Sequence, residues 1–303
     1  MTDKARIDFR SRIGVWWASD TWPMRAACEV AAEIEELGFG SLFIPEVGLK
    51  DCLVESAAFL AATKHLVIGT GIANIHARIP GTMEGAGRTL TALHPGRFVL
   101  GLGVSHGPLV QNMLGGTYEK PLATMRSYLD RMAALPEAIE PGAGRPTRLL
   151  AALGPKMIEL SGTHADGAHP YLVMPSQTAV TREILGPGKW IVSEQAVVVG
   201  GDDAEQLSRA HTHLQIYSGL PNYRNSWLRQ GFDESDIVPG GSQRLARAIV
   251  GMGTVEQAAS TVSAHLDAGA DHVVVQVLGD GNPAWDPRPA LRELAAVLKP
   301  ASA

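Results

Sequence analysis

The chain has 303 residues, 45% hydrophobic and 19% charged, with a formal net charge of -5. That is apolar material for one large core, with acidic and basic residues interleaved, and no basic stripe that would serve nucleic acid or an anionic membrane surface. Cys28 and Cys52 lack the Cys-x-x-Cys spacing of a disulfide or thiolate-metal site, Met1 to Arg12 lacks an apolar signal core, and no apolar run approaches the ~20 residues of a membrane span, so a cytoplasmic protein is expected.

Short runs of Val, Ile, Leu and Phe alternate with longer segments of helical period, the pattern of parallel strands each followed by a covering helix. The first strand is expected at Ile13 to Trp17. After Pro23 comes a helix whose Ala27, Val30, Ala31, Ile34 and Leu37 form one apolar stripe, stopped by Gly38. Strands follow at Ser41 to Ile44, Leu66 to Ile72 and Phe98 to Gly103, with helices at Glu55 to Ala62 and Gly81 to Leu93 between them. A helix from Leu122 to Ile139 leads through Pro141 and Gly142 to a fifth strand, Arg148 to Ala152, and Pro155 opens the next helix. The sixth strand is placed at Gly167 to Tyr171, the seventh at Ile191 to Val199 and the eighth at His272 to Val277. Asp202 or Asp203 caps the helix after the seventh strand, and Pro287 opens the last helix. Extra length, about Leu220 to Gly253, is punctuated by Pro221, Gly231, Pro239 and Gly240 and reads as an insertion of short amphipathic helices before the last strand. No linker or repeat divides the chain. The pattern favours a single α/β domain spanning residues 1–303, a (β/α)8 TIM barrel, over two Rossmann halves, although periodicity alone does not establish closure.

A barrel of this kind keeps its chemistry at the C-terminal ends of the strands. The residues there are Trp16, Trp17, Ser19 and Asp20; Pro45 and Glu46; Asn74, His76 and Arg78; Gly103, Val104, Ser105 and His106; Gly154, Pro155, Lys156 and Met157; and His169, Tyr171 and Met174. Aromatic, amide and imidazole groups together suit a flat heterocycle with a polar edge. Other chemistries lack their signatures. Gly101-Leu102-Gly103 is not completed as a dinucleotide fingerprint, His211 and His213 fall on different faces of a helix, no histidine spacing suits a metal, and no Gly-x-Ser-x-Gly elbow is present.

The run Ile68-Gly69-Thr70-Gly71-Ile72-Ala73-Asn74, then Gly96 to Gly103, then Gly154-Pro155-Lys156-Met157 with Ala165-Asp166-Gly167, resembles the luciferase-like flavin and F420 oxidoreductases over most of the chain and in order. The resemblance implies a luciferase-like TIM barrel, a homodimer, and coenzyme F420 or, alternatively, FMN as cofactor. It places a non-prolyl cis peptide of a bulged third strand at Gly71-Ile72, against the cofactor ring; as residues alone, these glycines equally suit an ordinary curved strand. It places a cofactor phosphate on Gly154 to Met157, where free backbone N–H groups open a helix and Lys156 adds charge, although Gly-Pro is also a common helix start.

By the same resemblance Glu46 lies at the ring edge. Sugar-phosphate-oxidising relatives follow that acid with a catalytic histidine; here Val47 follows, which argues against their alcohol oxidation. His106 is therefore the expected acid or base, because imidazole titrates near neutral pH, unless it is a loop histidine bonded to backbone. Cofactor contacts are expected from Glu46, Gly71, Ile72, Asn74, Gly103, Val104, Ser105, Gly154, Pro155, Lys156, Met157 and His169, and catalysis from His106 and Glu46. His76 and Arg78 are read as ring-edge or structural, and the tryptophans as a substrate wall or core. The function implied is hydride transfer between the deazaflavin C5 and a small organic substrate. The alternatives are an FMNH2-dependent monooxygenase and a non-catalytic F420- or flavin-binding protein.

Overall fold

The computed structural model describes residues 7–47, 50–136, 144–282 and 285–300. Its strands are β1 (Ile13–Trp16), β2 (Ser41–Ile44), β3 (Val67–Thr70), β4 (Ala73–Asn74), β5 (Phe98–Gly103), β6 (Thr147–Ala151), β7 (Gly167–His169), β8 (Trp190–Val197) and β9 (His272–Val277). All pair in parallel. β1 lies between β2 and β9, and β3 pairs with β5, so the sheet closes on itself. β4 continues the path of β3 after an interruption at Gly71 and Ile72, which leaves eight strand positions in a closed (β/α)8 barrel.

Eight helices ring the barrel: α1 (Met24–Glu36), α2 (Cys52–Ala62), α3 (Pro80–Leu93), α5 (Pro121–Ala133), α6 (Pro155–His164), α7 (Pro175–Leu185), α11 (Val255–Asp267) and α12 (Arg288–Leu298), each against the next and α12 back against α1. α1 illustrates the cause: Ala27, Val30, Ala31 and Ile34 recur at helical spacing and are all buried against the sheet. Outside the ring lie α4 (Gly107–Asn112), directly after β5, and α8 (Asp203–Ser218), α9 (Pro221–Arg229) and α10 (Gln243–Ile249), between β8 and α11. Among the described residues no helix is long and apolar enough to cross a membrane.

There are two apolar layers. The outer one, between strands and ring helices, includes Val15, Leu42, Ile68, Leu100 and Val273 with Ile34, Phe59, Met83 and Leu294. The inner one fills the barrel with Phe43, Val67, Val99, Leu149, Val192 and Val274 and continues without a break to Trp227 of α9 and Leu245 of α10. Alternate residues of a strand face opposite ways, which assigns the two sets. At the N-terminal end Phe9 stacks on His272 with ring centroids 4.0 Å apart.

Four expectations shift. The third strand does not run unbroken to Ile72 but stops at Thr70. The sixth ends at His169, because Pro170 has no N–H for the ladder. The seventh is Trp190–Val197 in place of Ile191 to Val199. The helix expected to reach Ile139 ends at Ala133, just before Pro136, and its last expected residues with Pro141 and Gly142 fall outside the described residues.

Candidate functional site

The interruption between β3 and β4 is a cis peptide bond, Gly71–Ile72. Three neighbouring elements hold it: Gly71 N donates to Ile44 O at 2.7 Å, Glu46 N donates to Ile72 O at 3.2 Å, and Trp16 Nε1 donates to Gly71 O at 2.9 Å. Glycine is required by close approach, since a Cβ on Gly71 would lie 2.7 Å from Trp16 Nε1 and 3.0 Å from His169 Nε2. A Cβ on Gly103 of β5 would lie 2.5 Å from the Ile72 side chain. Two side-chain-free positions thus form the floor of a cleft of about 280 Å³ at the C-terminal mouth of the barrel.

Glu46, Gly71, Ile72, Gly103, Val104, Ser105, His106, Gly154, Met157 and His169 all line this cleft, so residues far apart in the chain converge there. Asn74 does not line it; it is buried beside it, where its backbone N–H donates to Glu46 Oε2 at 2.8 Å and its Oδ1 accepts from His76 N at 3.0 Å. Pro155 and Lys156 are exposed on the first turn of α6 and are not among the lining residues. Gly154 is the N-cap of that helix, and the Arg229 guanidinium of α9 sits beside it, donating to Leu153 O at 3.1 Å.

Glu46 is pinned from two sides. Arg78 Nη2 lies 2.6 Å from its Oε1 and also pairs with Asp51. Burial works against the Arg78 charge, but hydrogen bonds to both carboxylates outweigh it and push the guanidinium pKa up. Next to Glu46 the Cys52 thiol is pushed up by burial and by the Glu46 charge, which makes it a poor thiolate source. The arrangement keeps Glu46 a fixed acceptor at the cleft edge.

The two histidines differ. His169 Nδ1 lies 2.7 Å from Val192 O, so Nδ1 carries the proton and Nε2 is an acceptor, with no protein partner. Burial lowers its pKa to about 4, which keeps it neutral. His106 caps the N-terminus of α4 after Ser105, whose φ of 58° is in the left-handed region. Burial lowers the His106 pKa, opposed by a hydrogen bond that the imidazole donates to Asn222, and Nδ1 has no partner. A lowered pKa makes the neutral imidazole the resting form at pH 7, so it offers a hydrogen bond more readily than a free proton.

The fourth side of the cleft is a wall of rings. Tyr171, after β7, donates to Gln276 Oε1 at 2.8 Å and lies 2.9 Å from the Tyr217 hydroxyl and 3.3 Å from His213 Nε2. Trp16 and Tyr223 flank it, with centroids 5.4 and 6.3 Å from the Tyr171 ring. Tyr217 and Tyr223, with Asn222, come from the α8–α9 junction, and the sequence reading did not single them out. The only local signal is a pair of tyrosines bracketing the Gly219-Leu220-Pro221 turn. His211 and His213, two apart on α8, diverge as their spacing requires: His211 Nδ1 meets Gly240 O, whereas His213 faces the tyrosines.

A closed (β/α)8 barrel with a cis peptide and an aromatic wall at its C-terminal mouth places the chain among the TIM-barrel proteins. The family model of the luciferase-like monooxygenases matches residues 9–272, and the chain belongs to that family. It is 28% identical over 250 residues, 69% of this chain and 71% of the relative, to the "Putative coenzyme F420-dependent oxidoreductase" of Mycobacterium tuberculosis. Among solved structures it resembles the coenzyme F420-dependent tetrahydromethanopterin reductase of Methanopyrus kandleri, with TM-score 0.76, 14% identity, and 96% of this chain and 99% of that one covered. It also resembles the oxygenating constituent of a Pseudomonas putida type II Baeyer-Villiger monooxygenase in complex with FMN, with TM-score 0.69, 14% identity, and 95% and 97% covered.

Proposed function

We propose that the protein is an F420-dependent oxidoreductase that transfers hydride between the deazaflavin C5 and a small organic substrate in this cleft. The observation that carries the reading is the floor: Gly71 and Gly103 both line the cleft, and each is kept free of a side chain by close approach of Trp16, His169 or Ile72, so bare backbone faces a flat ring there. The residues fit the group. His169 Nε2 is a buried polar atom without a protein partner at the cleft wall, and Gly154 opens α6 at one end of it.

F420, when bound, supplies a two-electron hydride carrier. The chain's part is positioning. His169 Nε2 accepts from a ligand N–H or O–H, Glu46 accepts at the cleft edge, and the free backbone N–H groups at the start of α6 favour a phosphate oxygen. Trp16, Tyr171 and Tyr223 exclude water from one face, and His106 holds a hydrogen bond to the substrate's reacting polar atom. The alternative, an FMNH2-dependent monooxygenase, draws support from the likeness to an FMN complex.

Fluorescence titration of the purified protein with F420 and with FMN tests the reading. F420 is expected to bind at micromolar concentration and more tightly than FMN; tighter FMN binding would transfer the assignment to the monooxygenase class, and binding of neither would remove both.

A further inference from the structure

The lining of the cleft carries information about the other ligand as well. Among the described residues that line it there is no lysine or arginine. The cations nearby are engaged elsewhere: Arg78 with Glu46 and Asp51, Lys50 with the carbonyls of Ser19 and Trp22 at 2.7 and 2.8 Å, and Arg229 with Leu153 O. The one carboxylate in the lining, Glu46, is already paired with Arg78, which it shares with Asp51. An anionic substrate would therefore leave water for a mostly apolar wall whose lining supplies no cation, which is unfavourable. A cationic one would have to compete with Arg78 for Glu46.

What the cleft does offer is ring surface. Trp16, Tyr118, Tyr171, Tyr217 and Tyr223 line it together with the His106 imidazole. Tyr223 is central to this set: its ring centroid is 4.8 Å from Tyr217, 5.7 Å from His106 and 6.3 Å from Tyr171. These rings are held in place from behind. Tyr171 is fixed by Gln276 and Tyr217, Tyr118 donates to Ser105 O at 3.2 Å, and Tyr223 packs against the fully buried Trp227 at 5.9 Å. Rigid, amphipathic rings bind flat apolar ligands at little cost in side-chain entropy. Two polar positions without a protein partner line the cleft, His169 Nε2 beside the Gly71 floor and His106 Nδ1 within this wall of rings.

We propose that the substrate is an uncharged cyclic or aromatic carbonyl compound, or the alcohol that corresponds to it, held flat by the wall around Tyr223 with its single oxygen at His106. Carboxylates and phosphates of the same skeleton are excluded. The inference rests on the reading of the cleft as the site of an F420-dependent oxidoreductase and adds the class of substrate to it. For a ketone, hydride from the reduced cofactor forms the new C–H bond, the carbonyl π pair becomes the alkoxide, a proton from solvent completes the alcohol, and the cofactor is left oxidised.

Isothermal titration of F420-loaded protein with 1-tetralone, its ring-carboxylated analogue and the parent hydrocarbon tetralin tests it without relying on turnover. The ketone is expected to bind tightest, by roughly tenfold or more over the carboxylate. His106→Ala should shrink the gap between ketone and hydrocarbon, and Tyr223→Ala should weaken both neutral ligands while leaving F420 affinity within about twofold. A carboxylate that binds as tightly as the ketone overturns the inference, as does failure of both neutral rings to bind a protein that takes F420. If tetralone binds the cofactor-free protein and F420 does not bind at all, the cofactor assignment falls and the substrate class stands.

Discussion

Glu194 stands on β8 with its carboxyl group inside the barrel, one oxygen accepting from Leu172 N at 2.9 Å and the other without a partner. Burial raises its pKa to about 8, against one backbone hydrogen bond that acts the other way. The folded state thus keeps a proton that the unfolded chain releases above the ordinary carboxylate value of 4.5. Stability from this group is full below that value and is lost as pH rises through about 8. Glu194→Gln, which keeps the acceptor for Leu172 and mimics the protonated form, should match the native protein near pH 5 and exceed it in Tm at pH 8 to 9. Each unit of the shift corresponds to roughly 1.4 kcal/mol. Thermal melts of both proteins across that range measure it, and equal Tm values at pH 9 would overturn it. Nothing in the sequence around Glu194 announced this, because alternation along Ile191 to Val197 leaves open which way a lone acid faces until the barrel closes. Glu46 and His106 were legible for the opposite reason: they directly follow strands, where one residue's position fixes its exposure to the mouth, whereas Gly71 was reached only through the family resemblance.

The elements divide similarly. Ring helices were legible wherever an apolar stripe ended at proline or glycine, as at Ala27 to Ile34 followed by Gly38. The short helices α9 and α10 were legible as pieces but not as a wall, since no periodicity tells a helix to fold back over the barrel mouth. Tertiary contacts do that, chiefly Trp227. It is fully buried, and its Nε1 donates to Leu172 O at 3.0 Å, tying α9 to the turn after β7 where Leu172 has a φ of 52°. Trp227→Phe would leave that carbonyl without its donor and open space behind Tyr223, at a cost of about 1 to 3 kcal/mol. A fall in Tm of about 2 to 4 °C per kcal/mol is expected, together with weaker binding of neutral ring ligands and little change for F420. Calorimetry and the same ligand titrations check both halves; unchanged ketone affinity in a destabilised variant would mean that α9 does not set the wall.

At the scale of the whole molecule, closure was the step that periodicity could not supply. It depends on β1 pairing with β9 across nearly the whole chain, and on interior volume being matched by glycines and large rings: Gly14 faces Ser41 and His272, and Gly69 faces Phe43. The filled interior also holds histidines that have no room for a counter-ion. His169 and His272 lie within the barrel, His265 between α11 and β8, and His213 behind Tyr171. Burial lowers all four, His169, His213 and His265 to about 4 and His272 to about 3. Above the ordinary imidazole value of 6.5 both states are neutral and these groups add no pH dependence. Below it the unfolded chain takes up protons that the folded protein refuses, so stability falls steadily as pH drops from about 6.5 toward 4. Glu194 opposes this, but one carboxyl against four imidazoles does not reverse the slope. Above pH 6.5 only the Glu194 trend remains among these five groups, which places their combined optimum near pH 6.5. The four histidines act in the same direction, so the acid limb is steeper than the alkaline one set by Glu194. Melts in buffers of constant ionic strength should therefore give a Tm that peaks near pH 6.5 and collapses cooperatively by about pH 4.5, and His265→Gln, which removes one imidazole, should flatten the acid limb. A Tm that holds constant from pH 7 to 4.5 would mean that the barrel admits charge and water to its interior, contrary to the packed inner layer from Phe9 to Trp227.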